Sequence, residues 1–244
     1  MDLVLHDSFV AAAPGGEPLR DGVVHVWAVP LNGDPARFGA LLSPSEVQRV
    51  QRFRFADHQR RYQIGHGALR TILGGYLGRD PRTVDFRQGP RGKPYLAGEP
   101  GSGPFFSLSR SGKLALIGVA TIELGLDIEK VRHLESLTEI ARRHFSPREF
   151  AELDQLQGAA REQAFYRCWT RKEAYIKALG EGLSMALDSF DVSLCEEPRL
   201  LACHDGREQP ANWAMVDVSP AREFVSAIAL RSPAPQLRCF VLPQ

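Results

Sequence analysis

The chain has 244 residues, of which 43% are hydrophobic and 24% charged, and 30 basic against 29 acidic residues leave a net charge of +1. This is the composition of a folded globular protein that is long enough for one large domain or two small ones. The balanced charge argues against a dedicated nucleic-acid-binding protein, which is usually strongly basic, so any cationic site must be local.

The cysteines and the N-terminus give no sign of an oxidising compartment or of a membrane. Cys168, Cys195, Cys203 and Cys239 form no CxxC pair and no zinc-site spacing, so we expect small buried side chains in a reducing environment. The first residues lack the basic and apolar segments of a signal peptide, and no apolar run approaches the roughly 18 residues that span a bilayer. The sequence therefore predicts a cytoplasmic protein with no membrane association.

The first half of the chain begins with a strand and continues with two helices. A β-rich run predicts a strand over 23–29, and the Ser-Pro-Ser-Glu sequence at 43–46 has the pattern of a capping box with proline at the first helical position. Apolar residues at helical spacing predict a longer helix over 60–77. Three strands are expected to follow, at 84–86, 105–108 and 114–121, with a Gly- and Pro-rich loop at 98–104.

The second half repeats this order. A strand is predicted at 124–128, the Ser-Pro-Arg-Glu sequence at 146–149 is a second capping box, and a longer helix covers 161–179. Strands are expected at 190–194, 213–218 and 224–230. The order β-α-α-β-β-β thus occurs twice, which predicts an α+β fold of two similar α/β subdomains, residues 1–121 and 122–244, with a cleft between them.

Two carboxylates stand at i and i+2 in the Gly-Leu-Asp-Ile-Glu-Lys sequence at 125–130. On a strand, Asp127 and Glu129 share one face, while Leu126 and Ile128 point into the core. Two ionised carboxylates this close repel each other unless a cation lies between them, and oxygen ligands favour a hard ion such as Mg²⁺. Taken alone, the pair also fits a solvated strand end.

A second charged motif lies on the helix at 165–180. Trp169, Glu173 and Lys177 fall on one stripe of it, with Ile176 beside them. The ordinary interpretation is an exposed ion pair between Glu173 and Lys177, worth a few tenths of a kcal/mol. Charges along what should be the buried stripe favour a functional role instead.

Together, the Asp-Ile-Glu-Lys sequence at 127–130 and the Trp-Thr-Arg-Lys-Glu-Ala-Tyr-Ile-Lys-Ala sequence at 169–178 resemble the signature of Sfp-type 4′-phosphopantetheinyl transferases. The resemblance takes in further segments at 92–94, 106–112, 180–184 and 187–190. It implies a pseudo-dimeric monomer of two pseudo-symmetric subdomains. It also implies transfer of the 4′-phosphopantetheine arm of coenzyme A to a serine hydroxyl of a carrier protein, with release of 3′,5′-ADP.

The resemblance assigns roles to the charged residues of both motifs. Asp127, Glu129 and Glu173 are expected to ligate Mg²⁺, with Mn²⁺ as a substitute, and the metal neutralises charge on the pyrophosphate. Glu173 is also the expected general base for the carrier serine. Lys177, one helical turn on, would hold a phosphate oxygen or the substrate in position.

The resemblance also implies a set of coenzyme A contacts, at Arg49, Arg61, Lys93, Ser109, Arg110, Asp127 and Lys177. Arg110 stands where the family commonly has a histidine that binds the 3′-phosphate, and an arginine serves that anion because it is always charged and bidentate. From the residues alone, Lys93 fits a solvated lysine in a hairpin turn, and the basic run that holds Arg49 and Arg61 fits a solvated helix face.

The expected protein partner is an apo acyl, peptidyl or aryl carrier with an acidic helix beside its serine. Such a helix calls for an apolar surface with local basic character, for which Arg142, Arg143, His144 and Phe145 are candidates. Fatty-acid, polyketide and non-ribosomal peptide carriers all fit this description. A binding protein on the same scaffold that performs no transfer is the rival hypothesis, and an RNA-binding module is disfavoured by the near-zero net charge.

Overall fold

The computed structural model describes residues 4–98, 103–232 and 234–243, so part of the loop predicted at 98–104 lies outside the described residues. Within its described residues, the first half holds three helices and six strands: β1 Phe9–Ala11, β2 Val23–Pro30, α1 Pro35–Gly39, α2 Pro44–Gln51, α3 Ala56–Leu77, β3 Phe86–Gln88, β4 Pro94–Leu96, β5 Phe105–Ser111 and β6 Leu114–Ala120. A short 3₁₀ turn, Pro81–Thr83, follows α3.

The described part of the second half also holds three helices and six strands: β7 Leu124–Lys130, α4 Leu137–His144, α5 Pro147–Asp154, α6 Gly158–Leu179, β8 Phe190–Val192, β9 Leu200–Cys203, β10 Ala214–Asp217, β11 Phe224–Leu230 and β12 Gln236–Val241. Short 3₁₀ turns lie at Gly182–Ser184, Leu187–Ser189 and Pro210–Asn212. No helix in the described part of the chain is long and apolar enough to cross a membrane.

The two halves share one topology, which confirms the predicted repeat. Strands β2, β6 and β5 are antiparallel neighbours in that order, and β7, β11 and β10 repeat the arrangement. Among the described residues, three helices follow β2 in the first half and β7 in the second, and a small hairpin, β3–β4 or β8–β9, follows the longest helix. The fold is therefore α+β with two pseudo-symmetric subdomains.

Both predicted capping boxes are present, and each has a second task. Glu46 caps α2 through Ser43 and also accepts a hydrogen bond from Arg70 on α3 at 2.8 Å. Glu149 caps α5 and pairs at 2.8 Å with Lys172 on α6, whose side chain is fully buried. In each half, an ion pair between the capping glutamate and a basic residue of the long helix thus holds the two helices together: α2 with α3, and α5 with α6. Lys172 therefore makes a structural contact with Glu149 and is not part of the stripe of α6 formed by Trp169, Glu173 and Lys177.

In the five-stranded and the three-stranded sheet, the central strands β2, β6 and β11 are buried on both faces. Helices cover one face, where Trp27 and Ile117 meet α3 in the first half, and Ala227 meets α6 in the second. The other faces of the two sheets enclose a central core, to which β2, β6, β7 and β11 contribute alternate residues.

The last strand departs from the symmetry. Strand β12 lies between β1 and β2 and is parallel to both, so a strand from the end of the chain completes the first-half sheet. The boundary at 121/122 stays a prediction.

The differences from the expected elements concern short segments. Val84 follows the 3₁₀ turn and the strand begins at Phe86, so the predicted strand at 84–86 is displaced along the chain. The elements that the sequence missed are short: α1, α4, β1, β4, β9 and β12. Three to eight residues carry too few periods for a reliable pattern.

Candidate active site

A glycine places the two acidic motifs side by side. A Cβ on Gly125 would lie 2.0 Å from the backbone oxygen of Ala174 and 2.3 Å from the backbone nitrogen of Ala178. Helix α6 therefore rests directly on β7 at a point that tolerates no side chain. Leu126 and Ile128 point into the central core, as predicted, so the alternate residues of β7 face α6.

Asp127 of β7 meets Glu173 and Lys177 of α6 at this contact. Asp127 is buried, and its Oδ1 accepts hydrogen bonds from the Lys177 ammonium at 2.6 Å and from the Ser109 hydroxyl at 2.8 Å. Its Oδ2 is buried and has no hydrogen-bond partner among the described residues. Glu173 is half-buried and lies close enough to Asp127 and Lys177 for both charges to act on it.

Three serines of β5 join the first-half sheet to β7. The Ser107 hydroxyl accepts a hydrogen bond from the Leu126 backbone N–H at 3.0 Å, and Ser111 donates to Glu129 at 2.7 Å. With Ser109 they form a row that we call the serine row. Of this row, only Ser109 is among the site residues predicted from the sequence, although serine at every second position of a strand is a signal for one polar face.

A cleft of about 820 Å³ opens beside this contact and is lined by residues of both halves. Five of the predicted coenzyme A residues line it: Arg49, Lys93, Ser109, Arg110 and Lys177.

Aromatic side chains of α3 that the sequence analysis missed also line the cleft. The guanidinium carbons of Arg110 and Arg49 lie 5.3 and 5.8 Å from the centre of the Tyr62 ring, and His66 stacks on that ring at 3.9 Å. Tyr62, His66 and Arg70 follow one another at intervals of four on α3, and this helical spacing could have indicated a shared face. Two cations around one aromatic ring make this end of the cleft suited to a phosphate or a purine.

Sequence comparison gives the same assignment for both halves. Residues 27–122 match the family model "4'-phosphopantetheinyl transferase, N-terminal", and residues 123–229 match the "4'-phosphopantetheinyl transferase superfamily". The 4'-phosphopantetheinyl transferase HetI of Nostoc sp. is 39% identical over 89% of this chain and 91% of its own length. The chain belongs to the 4′-phosphopantetheinyl transferases.

Further relatives extend the comparison. The 4'-phosphopantetheinyl transferase Sfp of Bacillus subtilis is 30% identical over 79% of this chain and 84% of its own length. A solved holo-[acyl-carrier-protein] synthase of Thermotoga maritima overlaps 44% of this chain and 61% of its own, at 18% identity and a TM-score of 0.34. This transferase, like its family, moves the 4′-phosphopantetheine arm of coenzyme A to a serine of a carrier protein and releases 3′,5′-ADP.

Burial raises the pKa of two carboxylates of the transferase, Glu173 and Glu129. Burial raises the pKa of Glu173; the Lys177 ammonium opposes this change, and the Asp127 carboxylate adds to it. Burial likewise raises the pKa of Glu129, against the hydrogen bond from Ser111. A carboxylate with a raised pKa is a stronger base near neutral pH.

Not every predicted coenzyme A residue of the transferase reaches the cleft wall. Arg61 lies outside the lining and pairs at 2.5 Å with Asp57, one turn earlier on α3. Asp127 lies behind Ser109 and Lys177, which cover it from the cleft. The stem of Lys93 lines the cleft, while its ammonium turns to Glu123.

The carboxylates suit a hard divalent ion. In the part of the chain that the structure describes, no three His, Cys, Asp or Glu side chains form a ready metal cluster, and the Lys177 ammonium supplies the positive charge beside Asp127. The unpartnered Asp127 Oδ2 is a buried anionic oxygen that a cation would satisfy. Asp127, Glu129 and Glu173 would supply only oxygen ligands, which Mg²⁺ and Mn²⁺ prefer.

Proposed function

We propose that this transferase is Mg²⁺-dependent, that Asp127, Glu129 and Glu173 hold the ion, and that Mn²⁺ replaces it. The observation that supports this proposal is the meeting of β7 and α6 at Gly125, which sets the acidic motifs together at the edge of a cation-lined cleft. A divalent ion bound there would neutralise charge on the pyrophosphate of coenzyme A.

Coenzyme A is proposed to lie in the cleft with its nucleotide toward α3. Arg110 and Arg49 present guanidinium groups around Tyr62, where they can bind the 3′-phosphate through charged hydrogen bonds. Ser109 and Lys177 stand between this end of the cleft and Asp127, so they face the pyrophosphate. The extended nucleotide thus runs from the arginines to the carboxylates.

Glu173 is proposed to accept the proton of the carrier serine. The serine oxygen then forms a bond to the β-phosphorus of coenzyme A, and the bond from that phosphorus to the bridging oxygen breaks, releasing 3′,5′-ADP. Lys177, which pairs with Asp127, is proposed to hold a phosphate oxygen in place.

The carrier is proposed to dock beside α4. Arg142 and Arg143 are exposed in the last turn of α4, and the His144 ring lies 6.0 Å from that of Trp169, one turn before Glu173 on α6. An acidic carrier helix would find its charge complement there, next to the reacting stripe.

One of the four recognition candidates was wrong. Phe145 is buried and stacks on Phe165 at 5.3 Å between ring centres, so it belongs to the core and not to a docking surface. The pattern of apolar and basic neighbours did not reveal that the chain turns inward after His144.

Mass spectrometry of apo carriers tests the proposal directly. Fatty-acid, polyketide and non-ribosomal peptide carriers, each incubated with the protein, coenzyme A and Mg²⁺, should gain one phosphopantetheinyl group where the carrier is a substrate. Chelation should abolish the gain, and Mg²⁺ or Mn²⁺ should restore it. Full transfer in excess chelator would refute the three-carboxylate metal site.

A further inference from the structure

The ammonium of Lys93 is held by three acceptors inside the protein. It donates to the Glu123 carboxylate, to the backbone oxygen of Ala178 at 3.1 Å and to that of Leu124 at 3.3 Å. The side chain is only 10% exposed, so these contacts are shielded from water. Three donors matched by three acceptors leave this ammonium no free hydrogen for a ligand.

Two of the acceptors belong to the elements that form the reacting centre. Leu124 begins β7, three residues before Asp127, and Ala178 follows Lys177 in the last turn of α6. The carbonyls of a last helical turn lack partners within the helix and carry the negative end of its dipole, so a lysine there stabilises the helix end. Lys93 therefore ties the end of α6 to the start of β7 at one point.

The hairpin that carries Lys93 fits closely against this end of α6. A Cβ on Gly180, whose φ is +71°, would lie 3.2 Å from the Tyr95 hydroxyl and 3.4 Å from the Lys93 stem. Arg91 pairs with Glu181 at 2.7 Å. The first-half hairpin thus docks on the second-half helix immediately beyond Lys177.

We propose that Lys93 is a positioning residue: its ammonium, held by Glu123, fixes the spacing between α6 and β7. This spacing in turn sets the contact of Lys177 with Asp127. This inference rests on the proposed function of those two residues, and it replaces a direct contact between the Lys93 ammonium and coenzyme A. The proposal also gives Glu123, which lies outside both acidic motifs, the role of holding the Lys93 ammonium in place.

Two variants separate positioning from ligand binding. Lys93→Met keeps the stem and removes the charge, while Glu123→Gln leaves the lysine and removes its anionic partner. If Lys93 positions α6, both variants should lower kcat by about tenfold or more, because a misplacement near 1 Å can cost a hundredfold. The KM for coenzyme A should stay within about twofold of the wild-type value in both.

Hydrogen exchange supplies a readout that does not depend on activity. The backbone amides at the end of α6 should exchange faster in Lys93→Met and in Glu123→Gln, because the tie to β7 is lost. The double variant should resemble the single ones, since both remove one shared interaction. If the protein shows no transferase activity, the proposed function fails, but hydrogen exchange still tests whether Lys93 joins the end of α6 to β7.

Glu181→Gln is the matched control. It removes an exposed ion pair between the same hairpin and the residues after α6, but it leaves the Lys93 contacts intact. We expect unchanged kcat and exchange rates in this variant.

The opposite pattern would overturn the inference. If Lys93 binds coenzyme A directly, Lys93→Met should raise the KM and the dissociation constant of coenzyme A about tenfold or more at unchanged kcat. Glu123→Gln should then lower both constants, because it frees the lysine. Unchanged amide exchange rates at the end of α6 in both variants would also refute the proposal that Lys93 joins α6 to β7.

Discussion

The contact between α6 and β7 at Gly125 makes a quantitative prediction for Gly125→Ala. The new Cβ would lie 2.0 Å from the Ala174 oxygen, whereas real Cβ contacts essentially never fall below 3.0 Å, so the helix and the strand must separate by about 1 Å. Overpacking of this kind costs about 1–3 kcal/mol of unfolding free energy. The same shift would lengthen the 2.6 Å contact of Lys177 with Asp127, and a 1 Å misplacement can lower kcat about a hundredfold.

Thermal unfolding and carrier modification kinetics together test this prediction. Gly125→Ala should unfold at a lower temperature, by roughly 2–10 °C, and should lose kcat far more than affinity for coenzyme A. Gly39→Ala is the control, because its Cβ would meet the side-chain nitrogen of Gln63 at 3.3 Å, and that side chain can move. Wild-type stability and kcat in Gly125→Ala would refute the requirement for a glycine under α6.

Three further outcomes follow from the site and its supports. Glu173→Gln should lower kcat by about 10²–10⁴-fold even at saturating Mg²⁺, and Lys177→Gln should lower it by less. Recovery of the wild-type kcat in Glu173→Gln when Mg²⁺ is raised to saturation would make Glu173 a ligand and not the base. Arg110→Ala should raise the KM for coenzyme A more than that for dephospho-coenzyme A, and equal effects on both would exclude a 3′-phosphate contact. Burial raises the pKa of Glu46, but its hydrogen bonds with His66, Ser43 and Arg70 outweigh this and lower the pKa to about 2 from 4.5. Its ionised form therefore stabilises the fold above pH 4.5, and the deficit of Glu46→Gln in urea unfolding should shrink as the pH falls from 4.5 toward 2; a pH-independent deficit would contradict this.

Local patterns predicted the parts of the site that lie within one element. The period of two in β7 placed Asp127 and Glu129 on one face, and the helical period placed Glu173 and Lys177 on one stripe. The capping boxes gave the starts of α2 and α5 to the residue. Each of these features is decided by neighbours within four positions along the chain.

Features that depend on distant pairing could not be predicted in this way. The serine row meets β7 across 18 or 19 positions, and the Lys93 ammonium reaches Ala178 across 85. From its neighbours in the sequence, Lys93 fits a solvated turn, because the acceptors of its ammonium all lie in the second half of the chain. Tertiary packing, and not local propensity, determines the environment of such side chains.

The position of β12 has a consequence for the order in which the protein is made. Its residues pair with Val23–Ala28 and with Phe9–Ala11, which leave the ribosome some two hundred positions earlier. Until the chain has been synthesised through Val241, β2 has an unpaired edge, and such edges favour association between nascent chains. We therefore expect the first-half sheet to complete its folding only after the second half has left the ribosome. Pairing of β12 with β1 and β2 should then make the two halves unfold as one cooperative unit.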